Sequence, residues 1–231
     1  MATNVRIAPS ILSADFTALG KAVQMVERGG ADLIHVDVMD GRFVPNVTIG
    51  IPIVAALKRA ATVPLDVHLM IVEPERHLES FIEAGASMVS VHIETSQHVH
   101  RTLSSIRALG ATAGVAINPG TPVSTLEAIA DQLDYLVVMS VNPGHVGQAF
   151  IPQSTSKVHA ARHLLDKAGN RAPIEVDGGI TTENAASLVG AGAEILVAAS
   201  AIYGDANPTD ATTRLRNAAL KGTFASEANI K

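Results

Sequence analysis

The sequence predicts one α/β domain, a closed (β/α)8 barrel over residues 1–231, and three observations carry that expectation. Short apolar runs alternate eight times with stretches of helical spacing, and near-continuous runs such as Leu136-Val137-Val138 and Ile195-Leu196-Val197 suit parallel strands covered by helices. A brief motif recurs between helix and strand patterns, at Gly30-Ala31-Asp32, Gly85-Ala86-Ser87, Gly110-Ala111-Thr112 and Gly192-Ala193-Glu194, where glycine can take the left-handed conformation that ends a helix. Polar residues gather at the ends of several separate strands, as on the C-terminal face of a barrel. An open doubly wound sheet explains the spacing nearly as well, but not the polar strand ends.

Taken in order, Val5 to Ala8 closed by Pro9 reads as the first strand, with Ser10 just beyond it. Leu19, Ala22, Val23 and Val26 have helical spacing that Gly29-Gly30 stops. A strand near 32–37, a helix over 50–61 and a strand over 64–69 follow. The next helix opens at Pro74, where the missing N–H loses no bond, and carries Leu78, Phe81 and Ile82. Then come a strand near 87–92, a helix with Val99, Leu103 and Ile106, a strand near 112–117, a short helix near 123–130 and a strand near 134–139. Beyond a glycine-rich loop lie a helix over 154–168, a strand over 173–176, a helix over 182–190, a strand over 194–197 and a final helix from about 209. From Gly222 to Lys231 helical patterning is weak, and a loose tail is expected.

Composition narrows the function. Seventeen basic and 22 acidic residues give a net charge of −5 without a basic run, which argues against a nucleic-acid surface and for a small substrate. With no cysteine there is no disulfide, thiolate metal site or cysteine nucleophile. The start lacks a basic region followed by a long apolar segment, and no apolar run is long enough to span a bilayer, so a cytoplasmic protein without membrane partners is expected.

In a strand, alternate side chains share a face, so His35, Asp37 and Met39 point one way and Val36 and Val38 the other. Asp66, His68 and Met70 repeat the pattern, as do Glu175 and Asp177. Each of these polar residues alone would be read as buried and hydrogen-bonded. Four of them, His35, Asp37, His68 and Asp177, occupy matching strand ends and offer two imidazoles and two carboxylates to one divalent metal ion. Asp66 and Glu175, two positions earlier, belong one layer deeper. His77, His98, His100, His159 and His163 are expected on solvated helix faces, and His92, with Ser90 and Glu94, as polar filling of the barrel. Three segments at strand ends suit a phosphate: Asn142 to Gln148, with Gly144, His145, Val146 and Gly147; Asp177 to Ile180, with Gly178 and Gly179; and Ala198 to Ala201, with Ala199 and Ser200. No Walker-type loop is present. Met39, Met70 and Met139 are core residues or an apolar lining over the metal.

Ala8-Pro9-Ser10-Ile11-Leu12-Ser13-Ala14-Asp15-Phe16, His35 to Gly41, Phe43-Val44-Pro45-Asn46, Asp66 to Met70, Met139 to Gly144 and Glu175 to Ile180 together resemble the signature segments of ribulose-phosphate 3-epimerases, in order and from residue 7 to about 203. The resemblance implies a TIM barrel and interconversion of D-ribulose 5-phosphate and D-xylulose 5-phosphate at C3, a step of pentose phosphate metabolism. It implies a metal held by His35, Asp37, His68 and Asp177, with zinc first and iron, manganese or cobalt also admitted. Asp37 and Asp177 become the acid/base pair, Ser10 and His68 contact substrate, and a homodimer or homohexamer is expected. The sequence departs from the family pattern at His145-Val146, where Phe-Gly is usual, at Ala199, where glycine is usual, and at Arg42, where histidine is common. Val146 and Ala199 restrict the backbone, and His145 adds a donor toward phosphate. A ketose phosphate such as D-allulose 6-phosphate is therefore an alternative substrate. A related-barrel sugar-phosphate decarboxylase and a non-catalytic phosphosugar-binding protein are further alternatives.

Overall fold

A computed structural model describes residues 5–228, with side chains described through 223. Eight parallel strands alternate with helices in a nearly closed TIM barrel: β1 (Arg6–Pro9), α1 (Leu19–Arg28), β2 (Ile34–Met39), α2 (Ile51–Ala60), β3 (Leu65–Met70), α3 (Leu78–Glu83), β4 (Ala86–His92), α4 (Val99–Ala108), β5 (Thr112–Ile117), β6 (Tyr135–Met139), α5 (Gln153–Lys167), β7 (Ile174–Asp177), α6 (Ala185–Gly190), β8 (Ala193–Ala198), α7 (Ser200–Tyr203) and α8 (Pro208–Ala228). The strand order is β1-β8-β7-β6-β5-β4-β3-β2, so β1 pairs with β8, Arg6 beside Ile195. Closure between β1 and β2 comes from the Ser10–His35 bridge and from the Asp32 amide donating to the Ile7 carbonyl at 2.9 Å. An open sheet is thereby excluded.

Two apolar layers follow from the strand alternation. Outward residues such as Val36, Val67, Val89, Leu136 and Leu196 pack with the buried helix faces, whereas Ala8, Met88, Ala116, Val137, Ile195 and Val197 fill the interior with Tyr135 and Met139. The Tyr135 hydroxyl donates to Asp66 Oδ1 at 3.1 Å. Gly114 makes room for that ring: a Cβ there would lie 2.4 Å from Tyr135 Cε1 and Cζ. Gly114→Ala is expected to cost about 1–3 kcal/mol through overpacking, read from the urea midpoint; an unchanged midpoint would refute the tight fit.

Several elements differ from the sequence expectations. Strand β2 is shifted to Ile34–Met39, which brings Met39 into the ladder. The short helix expected near 123–130 is a 3-10 helix over Val123–Gln132, entered through Pro122 and without a side-chain cap. The helix at Pro74 is split into a 3-10 turn, Pro74–Arg76, and α3, with Glu73 before it in the left-handed region at φ 48°. Helix α7 was not foreseen. Helix α8 runs through Gly222 to Ala228, and 229–231 lie outside the described residues. Gly222 is where α8 crosses α6, since a Cβ would lie 2.2 Å from the Ala186 carbonyl oxygen; it permits helix contact there rather than ending the helix.

Candidate metal centre and active site

The β2–β3 register sets His35 beside Asp66, Asp37 beside His68 and Met39 beside Met70, and β6–β7 sets Met139 beside Asp177. Strand pairing alone thus assembles most of the site. One nitrogen or oxygen from each of His35, Asp37, His68 and Asp177 lies within 4.8 Å of the others. His35 Nε2 is 3.3 Å from Asp37 Oδ1 and 3.9 Å from Asp177 Oδ2; His68 Nδ1 is 3.4 Å and 3.5 Å from the same two atoms. Both imidazole nitrogens are buried and lack a hydrogen-bond partner among the described residues. Two unpartnered nitrogens and two carboxylates converging on one space fit a divalent cation.

The remaining polar atoms orient these groups. Ser10 Oγ donates to Asp37 Oδ2 at 2.5 Å, and His35 Nδ1 lies 2.7 Å from Asp66 Oδ2. Burial would lower the His35 pKa, but Asp37 and Asp66 outweigh it and hold the ring well above the usual histidine range. His68 is likewise raised against its burial by Asp177 and Asp37. Burial acts to raise Asp37, yet His35 and His68 pull it well below the usual carboxylate range. Protons on the imidazoles and a cation between them are thus competing ways to neutralise the same carboxylates. One layer deeper, burial and then Asp66 push the Glu175 carboxyl well up. A second possible metal group, His35, Asp66 and Glu175, shares His35, whose Nδ1 is already engaged by Asp66.

Above the cluster opens a cavity of about 330 Å³. Asp37 and Asp177 reach its floor with Ser10, while His35 and His68 are fully buried beneath it. Met39, Met70 and Met139 line its walls, and Gly144, His145, Val146, Gly147, Gly178, Gly179, Ala199 and Ser200 surround its far side. Every residue expected at the substrate therefore faces one cavity except His68, which lies below. Gly178, at φ 116°, would place a Cβ 2.3 Å from Val141 Cγ2, and Ser140 Oγ donates to its carbonyl at 2.6 Å. Gly144 and Gly147 also have positive φ, whereas Val146 does not and Ala199 has φ −105°. Neither departure from glycine thus occupies the left-handed region that favours glycine.

Two arrangements escaped the sequence reading. Asp40 accepts from the amides of Arg42, Phe43 and Val72, which folds the loop after β2 and sets Phe43 and Val44 beside Met39 and Met70. His92, expected as filling, lies with its Nε2 2.9 Å from His68 Nε2 and its Nδ1 3.0 Å from Glu94 Oε2. Burial lowers His92 to about 4. Burial acts to raise Glu94, but bonds from His92, Thr121 and Asn118 bring it to about 2. The His-x-Glu spacing on one strand face was visible; the partner on β3 was not. His77, His98, His100, His159 and His163 are exposed and distant from the cavity lining.

Residues 6–203 match the Ribulose-phosphate 3 epimerase family. The chain belongs to that family. A ribulose-phosphate 3-epimerase of Synechocystis sp. is 50% identical over 219 residues, 94% of this chain and 95% of the relative. One of Bacillus subtilis is 49% identical, covering 92% and 98% of the two chains. The chloroplastic ribulose-5-phosphate-3-epimerase of Arabidopsis thaliana is 52% identical, over 87% and 73%. Among solved structures, 3-hexulose-6-phosphate synthase aligns with TM-score 0.69 at 20% identity, covering 93% of this chain and 99% of the other. Orotidine 5'-phosphate decarboxylase from Pyrococcus horikoshii aligns with TM-score 0.70 at 16% identity, covering 92% and 98%. These distant likenesses concern the barrel alone. As a ribulose-phosphate 3-epimerase family member the chain is an isomerase, and no helix among its described residues is long and apolar enough to cross a membrane.

Proposed function

We propose that this isomerase interconverts D-ribulose 5-phosphate and D-xylulose 5-phosphate with one divalent cation, in the cytoplasm, as a homodimer or homohexamer. The observation that carries the reading is the pair Asp37 and Asp177, brought from β2 and β7 to one cavity floor over two unpartnered imidazole nitrogens. One carboxylate removes the C3 proton from one face of the sugar while the other, as the acid, delivers a proton to the opposite face; the roles exchange with direction. Ser10 fixes Asp37 by its hydrogen bond and leaves Asp37 Oδ1 toward the imidazoles. His35 Nε2, His68 Nδ1, Asp37 and Asp177 would hold the cation, zinc before iron, manganese or cobalt. When bound, it supplies Lewis-acid stabilisation of the charge that develops on the C2 and C3 oxygens. Met39, Met70 and Met139 keep water from the reacting carbons. Amides about Gly144, Gly147, Gly178 and Gly179 receive the phosphate, with His145, Val146, Ala199 and Ser200 around them.

Binding the cation must displace protons that His35 and His68 retain above their usual range. Affinity therefore rises with pH through neutrality, by up to about tenfold per pH unit for each proton displaced. Calorimetric titration in buffers of different ionisation heat measures that release; equal affinity at about pH 6 and about pH 8 would contradict it. The activity itself is tested by parallel kinetics on D-ribulose 5-phosphate and D-allulose 6-phosphate with the metal-loaded protein. A larger kcat/KM for the pentulose phosphate is expected. Preference for the hexulose phosphate, carbon dioxide release from a keto acid phosphate, or binding without turnover would each replace this reading.

A further inference from the structure

Two imidazoles of the proposed metal site present opposite nitrogens, His35 its Nε2 and His68 its Nδ1, so each ring needs its remaining nitrogen protonated and engaged. For His35 the acceptor is direct: Asp66 Oδ2 at 2.7 Å from Nδ1. For His68 the atom behind is another imidazole nitrogen, His92 Nε2 at 2.9 Å, which can either give or take the shared proton. His92 is fully buried, packed between His68, with ring centroids 5.0 Å apart, and Phe43, at 4.7 Å. Among the described residues its Nδ1 has one partner, Glu94 Oε2 at 3.0 Å. The other oxygen of Glu94 accepts from the Asn118 amide at 2.8 Å and from the Thr121 hydroxyl.

Proton counting along this row has one solution. A carboxylate only accepts, so His92 Nδ1 carries a proton. A cation at His68 Nδ1 requires that atom bare, so the proton between the rings belongs to His68 and His92 Nε2 accepts it. A doubly protonated His92 would donate instead and force the His68 proton onto Nδ1. We infer that Glu94, acting through His92, is a positioning residue that fixes His68 in the Nε2–H form and so keeps Nδ1 open to the cation. The inference rests on the metal reading above, with Glu94 doing at one remove what Asp66 does directly.

Glu94→Gln reverses the row without changing its shape. The Asn118 amide can only donate, so the glutamine oxygen must take its side, and the –NH₂ group faces His92 Nδ1. His92 then protonates at Nε2 and donates toward His68. Zn²⁺ affinity, measured by competition with a chromophoric chelator, is expected to fall about 10- to 100-fold. Nitrogen-15 NMR of the metal-free proteins is expected to show His92 protonated at Nδ1 in the wild type and at Nε2 in Glu94→Gln. Glu94→Ala removes the acceptor without adding an opposing donor, so its affinity loss is expected to be smaller. A purely packing role predicts the reverse order. Equal Zn²⁺ affinity in wild type and Glu94→Gln, an unchanged His92 tautomer, or a larger loss in Glu94→Ala would overturn the inference. A wild-type protein that binds no Zn²⁺ would instead overturn the metal reading beneath it.

Discussion

Asp37→Asn is expected to lower kcat by about four orders of magnitude, the upper end of what a single general acid or base contributes, because Asp37 is proposed as both proton carrier and cation ligand. Its neutral amide can neither accept the C3 proton nor balance His35 and His68, which lie 3.3 Å and 3.4 Å from Oδ1. The fold should persist, since the side chain sits at the strand end where the cavity begins, and circular dichroism reports it. Solvent deuterium provides a sharper readout. With Asp177 intact, exchange at C3 should survive for one epimer and vanish for the other, and Asp177→Asn should show the opposite pattern. Symmetric loss or retention in either variant would end the two-carboxylate assignment, as would a fully active Asp37→Asn protein.

Removing the cation is the second large effect. Chelation should lower turnover by about 10³-fold, on the scale of losing a preorganised electrostatic contact to a developing oxyanion, and restoring one metal at a time should identify those that support catalysis. Stability should fall too. A ligand present at a thousand times its Kd contributes about 4 kcal/mol, which corresponds to roughly 10 °C in Tm for a chain of this length. Without it, the buried imidazoles hold protons against Asp37, Asp66 and Asp177. Full activity in protein shown by elemental analysis to be metal-free would refute the requirement.

The barrel was legible because eight apolar runs alternate with helical spacing, and the proposed ligand set because period-two alternation places His35 with Asp37 and Asp66 with His68. Register then supplied what alternation cannot: Asp37 opposite His68 follows from β2–β3 pairing, which no local pattern encodes. The same limit hid the contact between His92 and His68, since neighbours across a sheet are distant in sequence. Other differences came from local chemistry overridden by context. Helical patterning weakens from Gly222 onward, yet α8 runs through that residue, where α6 needs its missing Cβ. Val123–Gln132 carries helical spacing, but the segment winds in 3-10 turns. His145 and Val146 were singled out as departures, and their exposed positions at the cavity rim leave the loop's conformation dependent on Gly144 and Gly147 instead.

The pairing of β1 with β8 has a consequence for how the molecule comes into being. Arg6 meets Ile195 only after nearly all the chain has been made, so the barrel is dominated at its seam by a contact of very long sequence separation. A nascent chain that ends before β7 has His35, Asp37 and His68 but not Asp177, and it presents unpaired strand edges at both ends of its growing sheet. Until β8 closes the ring, the partly made chain is an aggregation risk without a complete cation site, so metal acquisition would follow synthesis rather than accompany it.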